Sequence, residues 1–254
     1  MNKPLVTVVM PAYNSEQHIK KAIDSAFEQD VELEVIVIND ASTDKTLTVL
    51  EEYQQRDNFI LIDNEHNLGV AASRNLGVAK ARGDYIAFLD ADDWWEPSKI
   101  TKQLAAMQKH QSVLCSTARE LVDSKGVSKG RIIGIKERIT YQMMLSQNWL
   151  NCSAVVVRTD VIKEFPMQHD DSHEDYITWM KILRKYKEAT GVDEPLLKYR
   201  VSNTGKSGSK RASAKMMYRA YRYIGIGPMK SAFYFCNYAI NGIKKYYFNQ
   251  GEDR

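Results

Sequence analysis

YIAFLDADDWWEPSKI, residues Tyr85 to Ile100, sets five residues suited to a buried strand directly against three carboxylates within four positions. Like charges packed this closely repel one another unless a cation offsets them. One reading is a solvated acidic turn, with Asp93 or Ser98 capping the helix that follows. The other is a metal site at the mouth of a sheet. Asp90 and Asp92 are two apart, so in extended backbone they point to the same side. Paired carboxylates suit a hard divalent cation that completes its shell with phosphate oxygens and water.

Working back toward the N-terminus, two periods alternate. LVTVVM (5–10), LEVIVI (33–38), FILI (59–62) and YIAFL (85–89) are short apolar runs, as strands covered on both faces should be. Between them, residues 15–29, 44–55 and 70–81 carry apolar residues at helical spacing, the last ending before Gly83 as a C′ residue. Pro97 opens a fourth helix. This alternation predicts an α/β protein with a mostly parallel sheet and helices on both faces. Past Gln111 the pattern changes. SVLCSTARELVD alternates like an antiparallel strand, SAVVVR (153–158) reads as another, and a helix is expected from about Glu174 to Lys187. NTGKSGSK (203–210) reads as a joint before two amphipathic pieces.

The chain has 254 residues, 44% hydrophobic and 26% charged, with a net charge of +3. From Lys206 onward, ten Lys and Arg face two acids, a net +8, which leaves −5 for the first 205 residues. That tail also holds ten of the 25 aromatic residues. The pattern is an acidic body, 1–205, followed by a basic, aromatic tail, 206–254. No apolar run approaches the ~20 residues of a spanning helix, and nothing at the N-terminus reads as a signal peptide. Three scattered cysteines, Cys115, Cys152 and Cys236, fit a reducing compartment. A cytoplasmic protein is expected.

In an open α/β sheet, ligands sit outside the carboxyl ends of the strands. Pro11-Ala12-Tyr13-Asn14, Asn39-Asp40 and the acidic cluster all fall there. The first of these turns lacks the glycines of a dinucleotide fold, which argues against NAD. TGKS (204–207) resembles the end of a phosphate-binding loop, but position 200, where the loop needs a glycine, is Arg200. Asp40 suits either a helix cap with Ser42 and Thr43 or an acceptor for a ribose hydroxyl or base N–H, with Tyr13 stacked on the base. In HDDSHED (169–175), two histidines without a third soft ligand make a poor zinc site. The acids there suit a helix cap, or a carboxylate kept ionised at a helix start to serve as a base.

VVMPAYNSEQHI, VIVINDASTDKT, NLGVAASRNLGVAKARGDYIAFLDADDWWEP and HEDYITWMKIL resemble, in order and spacing, glycosyltransferase family 2 over residues 4 to 205. The resemblance implies a GT-A fold: a mostly parallel, Rossmann-like sheet flanked by helices, here with a helical C-terminal extension. It places Pro11, Tyr13, Asp40 and Arg74 at the nucleotide, uridine being the commonest case. Asp90 and Asp92 match the metal motif for Mn²⁺ or Mg²⁺, with Asp93 beside them. Asp175, in a Glu-Asp pair with Glu174, matches the catalytic base, and Trp94 or Trp95 is a candidate face for an acceptor sugar. The implied reaction is an inverting transfer from a nucleotide sugar to a saccharide or lipid-linked saccharide in cell-surface polysaccharide synthesis. Alternatives are transfer to polyprenyl phosphate and sugar-phosphate nucleotidyl transfer. The basic, aromatic tail suggests docking on anionic lipid at the inner face of the cytoplasmic membrane, the alternative being that its aromatics pack back onto the catalytic domain, and no role for nucleic acid is expected. Two departures stand out. The family's Asp-Gly-Ser is Asp40-Ala41-Ser42 here, and Tyr199-Arg200-Val201-Ser202 lacks the histidine that many members carry.

Overall fold

The structure is a computed structural model that describes residues 4–201 and 210–247. The predicted alternation holds through the first half: β1 Val6–Ala12, α1 Ile19–Phe27, β2 Leu33–Asn39, α2 Thr46–Glu51, β3 Phe59–Asp63, α3 Val70–Lys80 and β4 Tyr85–Phe88. Next come β5 Trp94–Trp95, α4 Lys99–His110, β6 Leu114–Val122, β7 Ser128–Ile133, β8 Arg138–Thr140 and α5 Tyr141–Ser146. A 3₁₀ turn at Cys152–Ala154 leads into β9 Val156–Arg158, α6 Thr159–Glu164, α7 Glu174–Tyr186 and β10 Glu188–Arg200. The last helices are α8 Lys210–Tyr223 and α9 Pro228–Tyr247.

The strands form one sheet in the order β3-β2-β1-β4-β9-β6-β10-β5, with β7 beside β6 and β8 beside β10. β1 pairs in parallel with both β2 and β4. The chain therefore runs outward from β1 through β2 to β3, then returns to β1's other side. That reversal opens a crevice beyond the carboxyl ends of β1 and β4, where such sheets bind ligands. β9 lies antiparallel between β4 and β6, while β6 and β10 run parallel to each other. The expected antiparallel character of residues 112–123 is thus met by β7 and β9 but not by β10. The β6–β10 register slips between Val192 and Leu197, around Pro195, whose missing N–H a bulge tolerates.

Alternation along the strands divides the core in two. Val9, Ile36, Ile38, Ile86 and Phe88 face α3, α6 and α7. Val6, Val8, Met10, Val35, Val37 and Ala87 face α1 and α4. Each Val, Ile, Met or Phe among them contributes about 1.5–3 kcal/mol by leaving water. Gly83 is not the left-handed C′ residue expected of it. A Cβ there would lie 2.7 Å from the backbone nitrogen of Thr7, so the glycine lets β1 pass close by. α8 packs into the core through Met217, Ala220 and Tyr221, with Ile224 just past its end, and the Tyr221 hydroxyl donates to the Leu145 carbonyl at 2.7 Å. On α9, Met229, Phe233 and Ile240 remain exposed.

Candidate active site

The crevice at the reversal is an open cleft of about 1000 Å³, at the upper end of the range for small-molecule sites. Pro11 and Tyr13 line it from the end of β1, Asp40 from the end of β2, and Asp90 and Asp92 from the turn after β4. Tyr13 is 51% exposed, leaving its ring free to stack on a planar ligand.

Asp40 is buried, and its carboxylate accepts three N–H donors. Asn64 Nδ2 at 2.8 Å and the Leu68 amide at 2.9 Å bind Oδ1, while the Gly69 amide binds Oδ2 at 2.9 Å. The acid thereby anchors the loop that leads into α3. Ala41, where the family has glycine, sits at φ +58, a left-handed conformation that costs a residue with a Cβ roughly 1–2 kcal/mol. Ser42 and Thr43 cap no helix through Asp40; they tie this loop to the β1 loop instead. The Asn14 amide donates to Ser42 Oγ, and the Thr43 amide donates to Asn14 Oδ1.

The acidic stretch differs from its sequence reading. β4 stops at Phe88, and residues 90–93 form a turn closed by the Asp93 amide on the Asp90 carbonyl at 3.1 Å, not extended backbone. The turn still brings Asp90 and Asp92 to the cleft, and it sends Asp93 inward. Asp93 caps no helix either: its Oδ1 accepts the Arg200 amide of β10 at 2.8 Å, and the side chain is buried beside Ser153. Burial and the neighbouring Asp90 charge push the Asp92 carboxyl up to about 6. Burial, then Asp92 and Asp90, push Asp93 upward too. The Trp94 ring has Lys21 Nζ 3.3 Å from its centroid and the Arg200 guanidinium at 5.4 Å, so protein cations meet the ring proposed for an acceptor sugar.

Arg74 does not line the cleft; it lies beneath it. This arginine is 4% exposed, and its two terminal nitrogens fork to Asp90 Oδ1 at 2.6 Å and Glu174 Oε1 at 2.7 Å. The fork ties the acidic turn to the first residue of α7. Asp175 follows, partly buried, its carboxyl pushed up by desolvation and then by the Glu174 charge, against the pull of Arg74. A carboxylate raised toward neutrality at a helix start is suited to accept a proton.

Sequence reasoning missed Asp170 and His18, both on the cleft wall. Asp170 accepts the Ala71 amide at 3.1 Å and so occupies the α3 N-terminus across from Asp40. Its only signal was its place in an acidic loop. His169 stacks on Tyr223, its ring centroid 3.7 Å away. Among the described residues, no three His, Cys, Asp or Glu side chains gather closely enough to hold a metal alone. Two cleft carboxylates, Asp90 and Asp92, nonetheless fit a hard cation sharing its shell with a phosphate ligand.

A sheet reversal with an acid on each side of one cleft defines an α/β enzyme of the nucleotide-binding kind. The family model described as Glycosyl transferase family 2 matches residues 7–161. A Bacillus subtilis (strain 168) glycosyltransferase assigned provisionally to teichuronic acid biosynthesis, TuaG, is 33% identical over 246 residues, covering 96% of this chain and 98% of that protein. The Escherichia coli enzyme named UDP-Glc:alpha-D-GlcNAc-diphosphoundecaprenol beta-1,3-glucosyltransferase WfgD is 31% identical over 254 residues, covering 98% of each. Among solved structures, the mannosyltransferase PcManGT from Pyrobaculum calidifontis, in complex with GDP-Man and Mn²⁺, superposes with a TM-score of 0.73 at 18% identity, covering 94% of this chain and 74% of that one. The chain belongs to glycosyltransferase family 2 and has the GT-A fold.

Proposed function

We propose that this glycosyltransferase moves a sugar from a UDP-sugar to a hydroxyl of a saccharide or lipid-linked saccharide in cell-surface polysaccharide synthesis, with inversion at the anomeric carbon. The observation that carries the reading is the cleft itself, with Asp40 and Tyr13 on one side and Asp90 and Asp92 on the other. The name of WfgD, which specifies a UDP-sugar donor and a diphosphoundecaprenol-linked acceptor, supports the choice of substrates. Pro11, Tyr13 and Asp40 hold the nucleoside. Asp90 and Asp92 would hold Mn²⁺ or Mg²⁺, supplying positive charge to the leaving diphosphate. Asp175 takes the proton of the acceptor hydroxyl as that oxygen attacks the anomeric carbon from the side opposite the diphosphate. Arg74 and Glu174 fix the relative placement of metal turn and base. A sugar-phosphate nucleotidyltransferase would need a glycine-rich basic loop after β1, and Pro11-Ala12-Tyr13-Asn14 supplies none.

The same reading places the protein peripherally on the inner face of the cytoplasmic membrane. Residues 1–205 hold the donor and catalytic machinery, and within 206–254 the docking element is α9, since α8 packs on the core. No described helix is long and apolar enough to cross a membrane. Met229, Phe233 and Ile240 fall on one exposed face of α9, and residues 210–247 hold eight Lys and Arg and no acid. An apolar stripe within a basic element suits an anionic lipid surface. Thermal denaturation with Mn²⁺ plus UDP, UDP-glucose, UDP-GlcNAc or GDP-mannose tests the donor assignment. A ligand at ~100 times its Kd adds about 2.7 kcal/mol. The UDP compounds should raise Tm only with the metal; stabilisation by GDP-mannose alone would overturn the uridine assignment.

A further inference from the structure

The end of the loop between α6 and α7 and the first turn of α7 together carry four acids in six residues: Asp170, Asp171, Glu174 and Asp175. Such a loop cannot rest against a cleft unless its charges find separate partners. Asp170 has the α3 N-terminus, through the Ala71 amide. Glu174 has Arg74. Asp171 has α8: its Oδ2 accepts Tyr223 Oη at 2.9 Å and Arg219 Nη1 at 3.2 Å. Three more contacts join the same helix to the same loop. Arg219 Nη1 also reaches the Asp171 carbonyl at 3.3 Å, Ser172 Oγ donates to the Met216 carbonyl at 2.7 Å, and the His169 ring stacks on Tyr223 with 7° between planes. Residues 216, 219 and 223 are spaced three and four apart, so they share one face of α8.

The loop also needs holding. His169 sits at φ +68, in the left-handed region that a residue with a Cβ avoids. Asp170 is pressed so close to Gly69 that a Cβ there would lie 2.3 Å from its Oδ2. Gly69 is also the residue whose amide binds Asp40. A continuous set of contacts therefore runs from Tyr223 and Arg219, through His169 and Asp171, to Asp170 on the wall of the donor cleft. The loop's far end is the start of α7, where Glu174 and Asp175 sit.

We propose that Arg219 and Tyr223 of α8 are positioning residues for the donor site, holding the 169–172 loop so that Asp170 stays on the α3 N-terminus and completes the cleft wall. The choice of nucleotide as reporter rests on the proposed function; the latch itself does not. Both side chains are substantially exposed, 41% for the Arg219 side chain and 37% for Tyr223, so their substitution leaves the core in place.

The test uses the full chain with Arg219→Glu, Tyr223→Ala, and the charge swap Asp171→Arg with Arg219→Glu. Two quantities are read: hydrogen exchange at the Ala71 amide without ligand, and the Kd for UDP with Mn²⁺. Arg219→Glu and Tyr223→Ala should speed Ala71 exchange and weaken UDP binding by ~10-fold, within the range expected when a site loses its alignment. The swap should restore both. Variants with wild-type exchange at Ala71, or a swap that recovers neither quantity, overturn the latch. A wild-type protein that ignores UDP and Mn²⁺ overturns the nucleotide reading instead, and the exchange data still decide the latch.

Discussion

Replacing Arg74 with Met keeps much of the aliphatic stem's volume and removes the charge that two acids share. Its effect can be worked from the exposure of those acids. The Asp90 side chain is 33% exposed on the cleft, so its stranded charge regains water and costs little. Glu174 is 8% exposed, and its Oε1 loses the bond at 2.7 Å with no solvent to replace it. Breaking a buried pair from one side costs about 3–5 kcal/mol, and with one of the two acids resolvated the lower end, about 3 kcal/mol, is expected. Urea unfolding at neutral pH measures it. Glu174→Gln removes the stranded charge, so Arg74→Met should cost about 2 kcal/mol less in that background. A loss below about 1 kcal/mol, or the same loss with and without Glu174→Gln, would show that the fork is not what joins the acidic turn to α7.

Three further outcomes are expected. Because the folded protein raises Asp92 to about 6, ordinary carboxylate behaviour in the unfolded chain makes metal-free stability fall as pH rises from about 4 through 6. Asp92→Asn should remove that fall, gaining about 1–2 kcal/mol at neutral pH in chelator after allowance for solvent in the cleft, and lose the stabilisation by Mn²⁺ with UDP; equal stability of the two proteins at neutral pH would refute the repulsion argument. Asp175→Asn should keep UDP affinity near normal and lower turnover by ~10²-fold or more, while wild-type turnover declines on acidification through a carboxyl pKa above the usual range. Steady-state rates across pH check both, and an active Asp175→Asn enzyme would move the base elsewhere, Glu174 first. In vesicle sedimentation, binding should grow with anionic lipid and weaken with salt, and Met229→Asp with Phe233→Asp should abolish it; a protein left in the supernatant at low salt refutes docking through α9.

Periodicity made the first half of the fold readable because strands covered on both faces and amphipathic helices leave opposite signatures in LEVIVI and in residues 70–81. The insertion of β9 between β4 and β6 was not readable, since SAVVVR records that it is a strand but not its neighbours. The aspartates at 90, 92 and 93 were recognisable as a cluster. Their division into two cleft acids and one inward acid depends on a turn that three like residues do not encode. The resemblance alone put Arg74 near the nucleotide; its fork was not legible, because its two acid partners lie 16 and 100 residues away. In α8, five basic residues masked the apolar set at 217, 220 and 221, so the helix read as tail although one face belongs to the core.

The three donors on Asp40 bear on the proposed nucleoside site and on which base would suit it. A carboxylate offers about four lone-pair positions. Asn64 and Leu68 occupy both positions on Oδ1, and Gly69 occupies one on Oδ2, which leaves a single acceptor for a ligand. The pairing edge of uracil presents one N–H between two carbonyls and asks for one acceptor. Guanine presents an N–H and an amino group side by side, and satisfying both at one carboxylate takes two. If Asp40 meets the base as proposed, the loop that draws three donors onto it has occupied the acceptor a guanine would need, and uracil is the base expected to bind.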